Sequence, residues 1–131
     1  MAANRWRLEG QLALVTGASA GIGLAITREL LGFGADVLMV ARDADALQDA
    51  RQDLAEEFPE REISVLAADV ADDEDRRAIL DWVEDHAEGL NILVNNAGGN
   101  VTRAAVDYTE DEWRGIFETN VFSAFELSRY A

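Results

Sequence analysis

Four short apolar runs, each followed by a longer stretch in which apolar residues return at helical spacing, set the rhythm of this chain. Leu12-Ala13-Leu14-Val15 is the first run. After it Ile22, Ile26, Leu30 and Phe33 fall near a helical repeat that opens at Ala20 and that Gly32 and Gly34 bring to an end. Val37-Leu38-Met39-Val40, the second run, is too short for a helix and apolar at every position, as a strand covered on both faces would be. The helix predicted behind it carries Leu47, Ala50, Leu54 and Phe58 as one stripe, and Pro59 marks its stop. Ile63 to Ala68 is the third run, closed by Asp69-Val70. The carboxylates of Asp72-Asp73-Glu74-Asp75 then suit the positive end of a helix dipole, Ile79, Leu80, Val83 and Ala87 point inward, and Gly89 stops the helix. The fourth run, Leu90 to Val94, leads into Asn95-Asn96-Ala97-Gly98-Gly99 and a loop. Thr109-Glu110-Asp111-Glu112 forms a capping box and opens a last helix, with Trp113, Ile116, Phe117, Val121 and Phe125 as its predicted apolar side, still running at Ala131.

Strand and helix thus alternate four times with short connections, which is the pattern of right-handed βαβ units laid on a parallel sheet with helices on both faces. No repeat, low-complexity tract or linker interrupts it, so the expectation is one α/β domain over residues 1–131.

Composition narrows the functional classes. With 131 residues, 49% of them hydrophobic, the chain has the material for a core of its own. It contains no cysteine, which excludes disulfides and thiolate metal sites and suits a reducing cytoplasm. No apolar stretch approaches the roughly 18 residues of a membrane span, and the polar leader with Asn4, Arg5, Arg7 and Glu9 has no signal-peptide core, so a cytoplasmic protein with no membrane partner is expected. A formal charge of −15 argues against nucleic acid as a partner. All 11 basic residues are arginines; there is no lysine.

The chemistry concentrates in Thr16-Gly17-Ala18-Ser19-Ala20-Gly21-Ile22-Gly23, between the first strand and the first helix. A helix N-terminus leaves backbone N–H groups unpaired and carries partial positive charge, and glycines let a bulky anion approach them. The turn is a place to set down a phosphate.

Taken with Asp69, Asn95-Asn96-Ala97-Gly98 and Asn120 in Glu118-Thr119-Asn120-Val121, the Thr-Gly-x-x-x-Gly-Ile-Gly pattern resembles the short-chain dehydrogenase/reductase family over residues 8–131. The stretch from Asn95 through Tyr108-Thr109-Glu110 to Leu127-Ser128 is similar to its tropinone-reductase-like members. The resemblance implies a Rossmann-type parallel sheet, here truncated to about four strands where the doubly wound fold has about six. It further implies that backbone around Gly17, Ser19, Ile22 and Gly23, with Ala20 and Gly21 of the same turn, holds a pyrophosphate and the adjacent ribose of a nicotinamide dinucleotide. Asp69 and Val70 would edge the adenine, and Asn96, Ala97 and Gly98 the adenosine ribose side. An acid at the end of the second strand suits ribose hydroxyls and a cation suits a 2′-phosphate. Ala41 stands at the acid's place and Arg42 follows, a fork suited to bidentate phosphate contact, which favours NADP. Two features pull the other way: Asp43 sits beside Arg42 and can pair with it, and Ala20 stands where many such members carry a second basic residue.

Hydride transfer in this family, between nicotinamide and a carbonyl or alcohol, uses a tyrosine, a lysine, a serine and an asparagine. Asn120 matches the asparagine. Tyr108 has Glu112 four positions later, Tyr130 is penultimate, and no lysine exists to complete Tyr-x-x-x-Lys. Ser123 and Ser128 lie on the last helix. His86, among Glu84, Asp85 and Glu88, has no partner at ligand spacing, and Trp6, Trp82 and Trp113 read as packing residues. Two readings remain. The chain is the amino-terminal, cofactor-binding part of an NADP-dependent oxidoreductase, inactive alone; or it is a stand-alone half-domain that binds a nucleotide or self-associates. Either way the fourth strand should be an open sheet edge and the last helix short of partners, so homo-oligomers are expected.

Overall fold

Parallel pairing needs crossovers, and the three predicted helices supply them. In the computed structural model, which describes residues 6–99 and 102–131, β1 (Leu12–Thr16), β2 (Asp36–Ala41), β3 (Ile63–Ala67) and β4 (Ile92–Val94) form one sheet in the order β3-β2-β1-β4, all parallel. Asn4 and Arg5 of the leader, and positions 100 and 101 of the loop before Thr109, lie outside the described residues. The crossovers are α1 (Gly21–Gly32), α2 (Ala44–Glu57) and α3 (Asp73–His86).

Because successive strand residues point to opposite faces, the continuous apolar runs feed two cores. Ala13, Val15, Val37 and Met39 pack with Leu31 of α1 and Leu47, Ala50 and Leu54 of α2 on one face. Leu14, Leu38 and Val40 pack with Ile79 and Val83 of α3 and with Leu127 on the other. The helices therefore cover both faces. The chain steps from β1 outward to β3 and then returns to β4 on the other side of β1. That reversal opens a crevice at the carboxyl ends of β1 and β4.

Four features differ from the sequence reading. Strand β4 begins at Ile92 rather than Leu90, because Asn91 takes over the pairing: its side-chain oxygen accepts the Leu12 N–H at 2.8 Å while its own N–H donates to the Leu12 carbonyl at 3.1 Å. Helix α1 opens at Gly21, with Ala20 as an extended N-cap that offers no side-chain cap, and buries Gly23, Thr27 and Leu31 while Ile22 is exposed. The last helix is broken into α4 (Glu110–Phe117), a π turn (Glu118–Phe122) and α5 (Ser123–Tyr130). Its inward residues are Ser123 and Leu127, whereas Trp113, Phe117, Val121 and Phe125 are 44–59% exposed, since no element among the described residues covers them. The Thr109–Glu112 capping box forms with both of its hydrogen bonds.

Candidate functional site

The carboxyl ends of the strands and the loops that leave them frame a groove of about 640 Å³, lined by Gly17, Ser19, Val40 to Asp43, Ala68 to Val70, Asn96 to Gly99 and Thr119. It is built from four segments.

The first is the turn after β1. Gly17 has φ +62°, and a Cβ there would stand 2.8 Å from Asn96 Nδ2; one on Gly23 would stand 2.1 Å from the Gly17 carbonyl oxygen. Glycine at both positions lets the turn fold onto α1 and the Asn96 loop at once. The Thr27 hydroxyl donates to the Gly23 carbonyl at 2.8 Å, fixing this first turn of α1 from below. Ser19 lines the groove, Ala20, Gly21 and Ile22 lie exposed at the helix N-terminus, and Gly23 is buried beneath them. Three of the last four residues before the helix lack side-chain donors, so what this end offers an anion is backbone N–H.

The second segment ends β2. Asp43 is the N-cap of α2; its carboxylate accepts the N–H groups of Asp45 and Ala46 at 3.0 and 3.1 Å. The pairing with Arg42 that the sequence left open is not formed. Arg42 is exposed and enters no ion pair or hydrogen bond among the described residues.

The third segment follows β3. The Asp69 N–H donates to Asp75 Oδ2 at 2.7 Å, Asp69 Oδ1 accepts the Ala71 N–H at 2.9 Å, and Arg76 donates to the Val70 carbonyl at 2.7 Å.

The fourth follows β4. Thr16 Oγ1 accepts the N–H groups of Asn96 and Ala97 at 3.1 and 3.0 Å and donates to the Val94 carbonyl at 3.4 Å. Asn96 Nδ2 donates to the Gly17 carbonyl at 3.2 Å, so the two loops are laced together across the crevice. Asn120, in the π turn, is exposed and outside the groove lining; its amide accepts the Gly99 N–H at 2.9 Å and donates to the Gly99 carbonyl at 2.8 Å. Wide turns of this kind recur where a helix must aim one residue. Gly98 passes close beneath, where a Cβ would meet Asn120 Oδ1 at 3.3 Å.

The remaining sequence candidates stay apart. Ser123 donates to the Thr119 carbonyl within its helix, and Ser128 Oγ accepts from Asn95 Nδ2 at 3.1 Å. His86 stacks on Trp82 with ring centroids 4.2 Å apart. Among the described residues no group of three metal-ligating side chains gathers, and no helix is long and apolar enough to cross a membrane. A larger groove, about 910 Å³, opens at the opposite ends of the strands near Gly10, Asp36 and Asn91. It has neither a helix N-terminus nor the glycine turn facing it, so size alone does not make it the better ligand site. Two residues of the site escaped the sequence reading. Thr16 was visible only as part of the turn motif. Arg76 lies three before Ile79 and seven before Val83, on the inward stripe of α3, and a basic residue in that register was the available signal.

The groove invites comparison with known proteins. The sequence profile described as short chain dehydrogenase matches residues 11–131. A tropinone reductase homolog of Arabidopsis thaliana is 41% identical over 130 residues, covering 98% of this chain and 47% of that protein. The crystal structure of L-sorbose reductase from Gluconobacter frateurii, complexed with NADPH and L-sorbose, superposes with TM-score 0.91 at 34% identity, over 95% of this chain and 47% of that one. RhlG of Pseudomonas aeruginosa, in an active-site complex with NADP, gives TM-score 0.86 at 34% identity over 95% and 48%. The chain spans about half the length of the relatives it matches.

Proposed function

Because the chain belongs to the short chain dehydrogenase family, we propose that its 131 residues are one partial dinucleotide-binding domain, the cofactor-holding part of an NADP-dependent oxidoreductase of the cytoplasm. The observation that carries the cofactor choice is Arg42: exposed, lining the groove, and unpaired among the described residues, with the adjacent Asp43 capping α2 rather than pairing with it. A 2′-phosphate there gains a charge-assisted, bidentate partner. The backbone of Gly17, Ser19, Ala20, Gly21, Ile22 and Gly23 receives the pyrophosphate, Asp69 and Val70 the adenine, and Asn96, Ala97 and Gly98 the adjacent ribose. Asn120 holds the Gly99 end of that loop in place. The fit rests on the turn after β1, where glycine at 17 and 23 lets the chain pack against the Asn96 loop and a Cβ at Gly21 would meet nothing within 4 Å, leaving the N-terminus of α1 open to an anion. The bound nicotinamide supplies the hydride that passes to a carbonyl, or takes it from an alcohol, in a complete family member. This chain has no lysine to support a tyrosine acid, so binding without turnover is the expectation. Measurable ketone reduction by the chain alone would contradict it.

Calorimetric titration of the chain with NADP and NAD, beside Arg42→Asp, tests the reading. One charge-assisted contact predicts NADP favoured by about 10- to 100-fold, with the preference abolished or reversed in the variant. Equal affinities, or a ratio unchanged by Arg42→Asp, would refute it. A second reading, self-association, is favoured by one observation only, the exposed aromatic side of α4 and α5.

A further inference from the structure

The segment that follows β3 is held more tightly than a loop at a groove edge requires. Asp69 N–H is taken by the Asp75 carboxylate at 2.7 Å, the Asp69 carbonyl accepts the Asp72 N–H at 3.0 Å, Ala71 N–H returns to Asp69 Oδ1 at 2.9 Å, and the Val70 carbonyl receives Arg76 at 2.7 Å. Two polar groups remain without a partner among the described residues: the Val70 N–H and Asp69 Oδ2. One is a donor and the other an acceptor, on adjacent residues that both line the groove. Arg76 itself is 8% exposed, its Nε is buried without a partner, and its ion pair is a loose 3.6 Å contact to the largely exposed Asp73. A guanidinium kept in so incompletely satisfied a place contributes little to stability beyond what an apolar side chain of its length would. What it does do is fix the Val70 carbonyl.

We propose, on the footing of the NADP reading above, that Arg76 and Asp75 are positioning residues for base recognition. By fixing the peptides on either side of the Asp69–Val70 unit they present one acceptor and one donor side by side. That pair is complementary to the edge of adenine, which offers an amino donor at C6 and an acceptor at N1. It is mismatched to hypoxanthine, whose O6 accepts and whose N1–H donates. Discrimination against the reversed edge is strong because the mismatch strands polar groups on both sides.

The test is equilibrium binding of NADP and of its hypoxanthine analogue to the 131-residue chain and to Arg76→Met, Arg76→Lys and Asp75→Asn, with NAD and urea unfolding measured alongside. The unaltered chain should prefer the adenine form by about tenfold or more. Arg76→Met should bring that preference toward unity while keeping the NADP over NAD ratio, which belongs to Arg42, and should lower the unfolding midpoint modestly because the buried Val70 carbonyl loses its donor. Arg76→Lys, which can still donate to the Val70 carbonyl, and Asp75→Asn, which can still accept the Asp69 N–H, should restore much of the base preference. A merely structural role would lower the midpoint and weaken both nucleotides equally. That result, or an adenine preference unchanged in Arg76→Met, overturns the proposal and leaves the NADP reading standing. Failure of the unaltered chain to bind any of the nucleotides overturns the NADP reading and this proposal together.

Discussion

Thr16 offers the sharpest test of how the groove is assembled, because area and hydrogen bonding predict opposite rankings there. The residue is 2% exposed, and its hydroxyl serves the N–H groups of Asn96 and Ala97 and the carbonyl of Val94. Thr16→Val keeps the volume and trades a hydroxyl for a methyl, so burial alone would make it neutral or stabilising. It also removes the oxygen on which the Ala97 N–H relies and one of the two acceptors of the Asn96 N–H, which keeps the Val94 carbonyl at 3.1 Å. Each bond contributes about 1 kcal/mol net, and a donor left dry costs about 1–3 kcal/mol. Because one donor alone is stranded, both are only partly buried and the Val94 contact is long, the low end applies, and the loss works out at about 2 kcal/mol. Thr16→Ser keeps all three bonds and gives up one buried methyl, about 1 kcal/mol. Urea unfolding of the three chains, followed by tryptophan fluorescence, should therefore rank Thr above Ser above Val at constant m-value. A valine variant as stable as the serine one would refute the view that Thr16 ties β1 to the Asn95–Gly99 loop.

The same chemical change should have opposite signs at two glycines. Gly23→Ala sets a Cβ against backbone 2.1 Å away and should cost about 3 kcal/mol or more. Gly115→Ala, in the open on α4, should stabilise by about 0.5–1 kcal/mol; paired thermal melts decide both. Asn120→Ala removes both bonds to Gly99 and should raise Gly99 amide exchange several-fold, whereas Asn120→Asp, which still accepts that N–H, should raise it little; equal effects would deny the amide its loop-holding role. Light scattering across a concentration series should show mass rising with concentration, and Phe117→Glu with Phe125→Glu should abolish the rise. A unaltered chain that stays monomeric would count against the expected association.

What could be read from the sequence was what neighbours along the chain decide. The four strands, the helix stops at Gly32 and Pro59, and the Thr109 capping box depend on residues within a few positions, and they stand in the structure within a residue or two. Strand β4 is shorter because the Asn91 side-chain oxygen stands in for a backbone carbonyl in accepting the Leu12 N–H, a substitution no periodicity records. The π turn at Glu118–Phe122 is a wide turn that a 3.6 repeat does not anticipate, and the residues buried after it are Ser123 and Leu127. The exposed side of α4 failed for a different reason: what covers a helix face is set by distant chain, which local pattern cannot supply. The groove residues were legible as types, glycine where backbone must approach and arginine where a cation is wanted. Their fixings, Thr16 across the crevice and Arg76 beneath Val70, come from residues 78 to 81 and six positions away, and only the assembled loops reveal them.

A chain of net charge −15 is an improbable host for a polyanion if long-range attraction is what draws the ligand. The distribution of the charge resolves this. About half of the acidic excess sits on α2 and α3, and screening over roughly 10 Å at 0.1 M salt removes most of its reach. At the groove itself no carboxylate pairs with Arg42 among the described residues: one oxygen of Asp43 accepts two N–H groups of α2, one of Asp69 accepts from Ala71, and one of Asp75 accepts from Asp69. On the proposed reading, what meets the phosphate is the N-terminus of α1, whose N–H groups the fold aims, and the unpaired Arg42 guanidinium, both effective at contact distance. Binding in such a site depends on donors the fold has already aimed. Encounter is slowed by the net charge, and recognition is left to the last few ångströms, which is why fixing the peptides around Gly17, Val70 and Gly99 matters more here than adding positive charge.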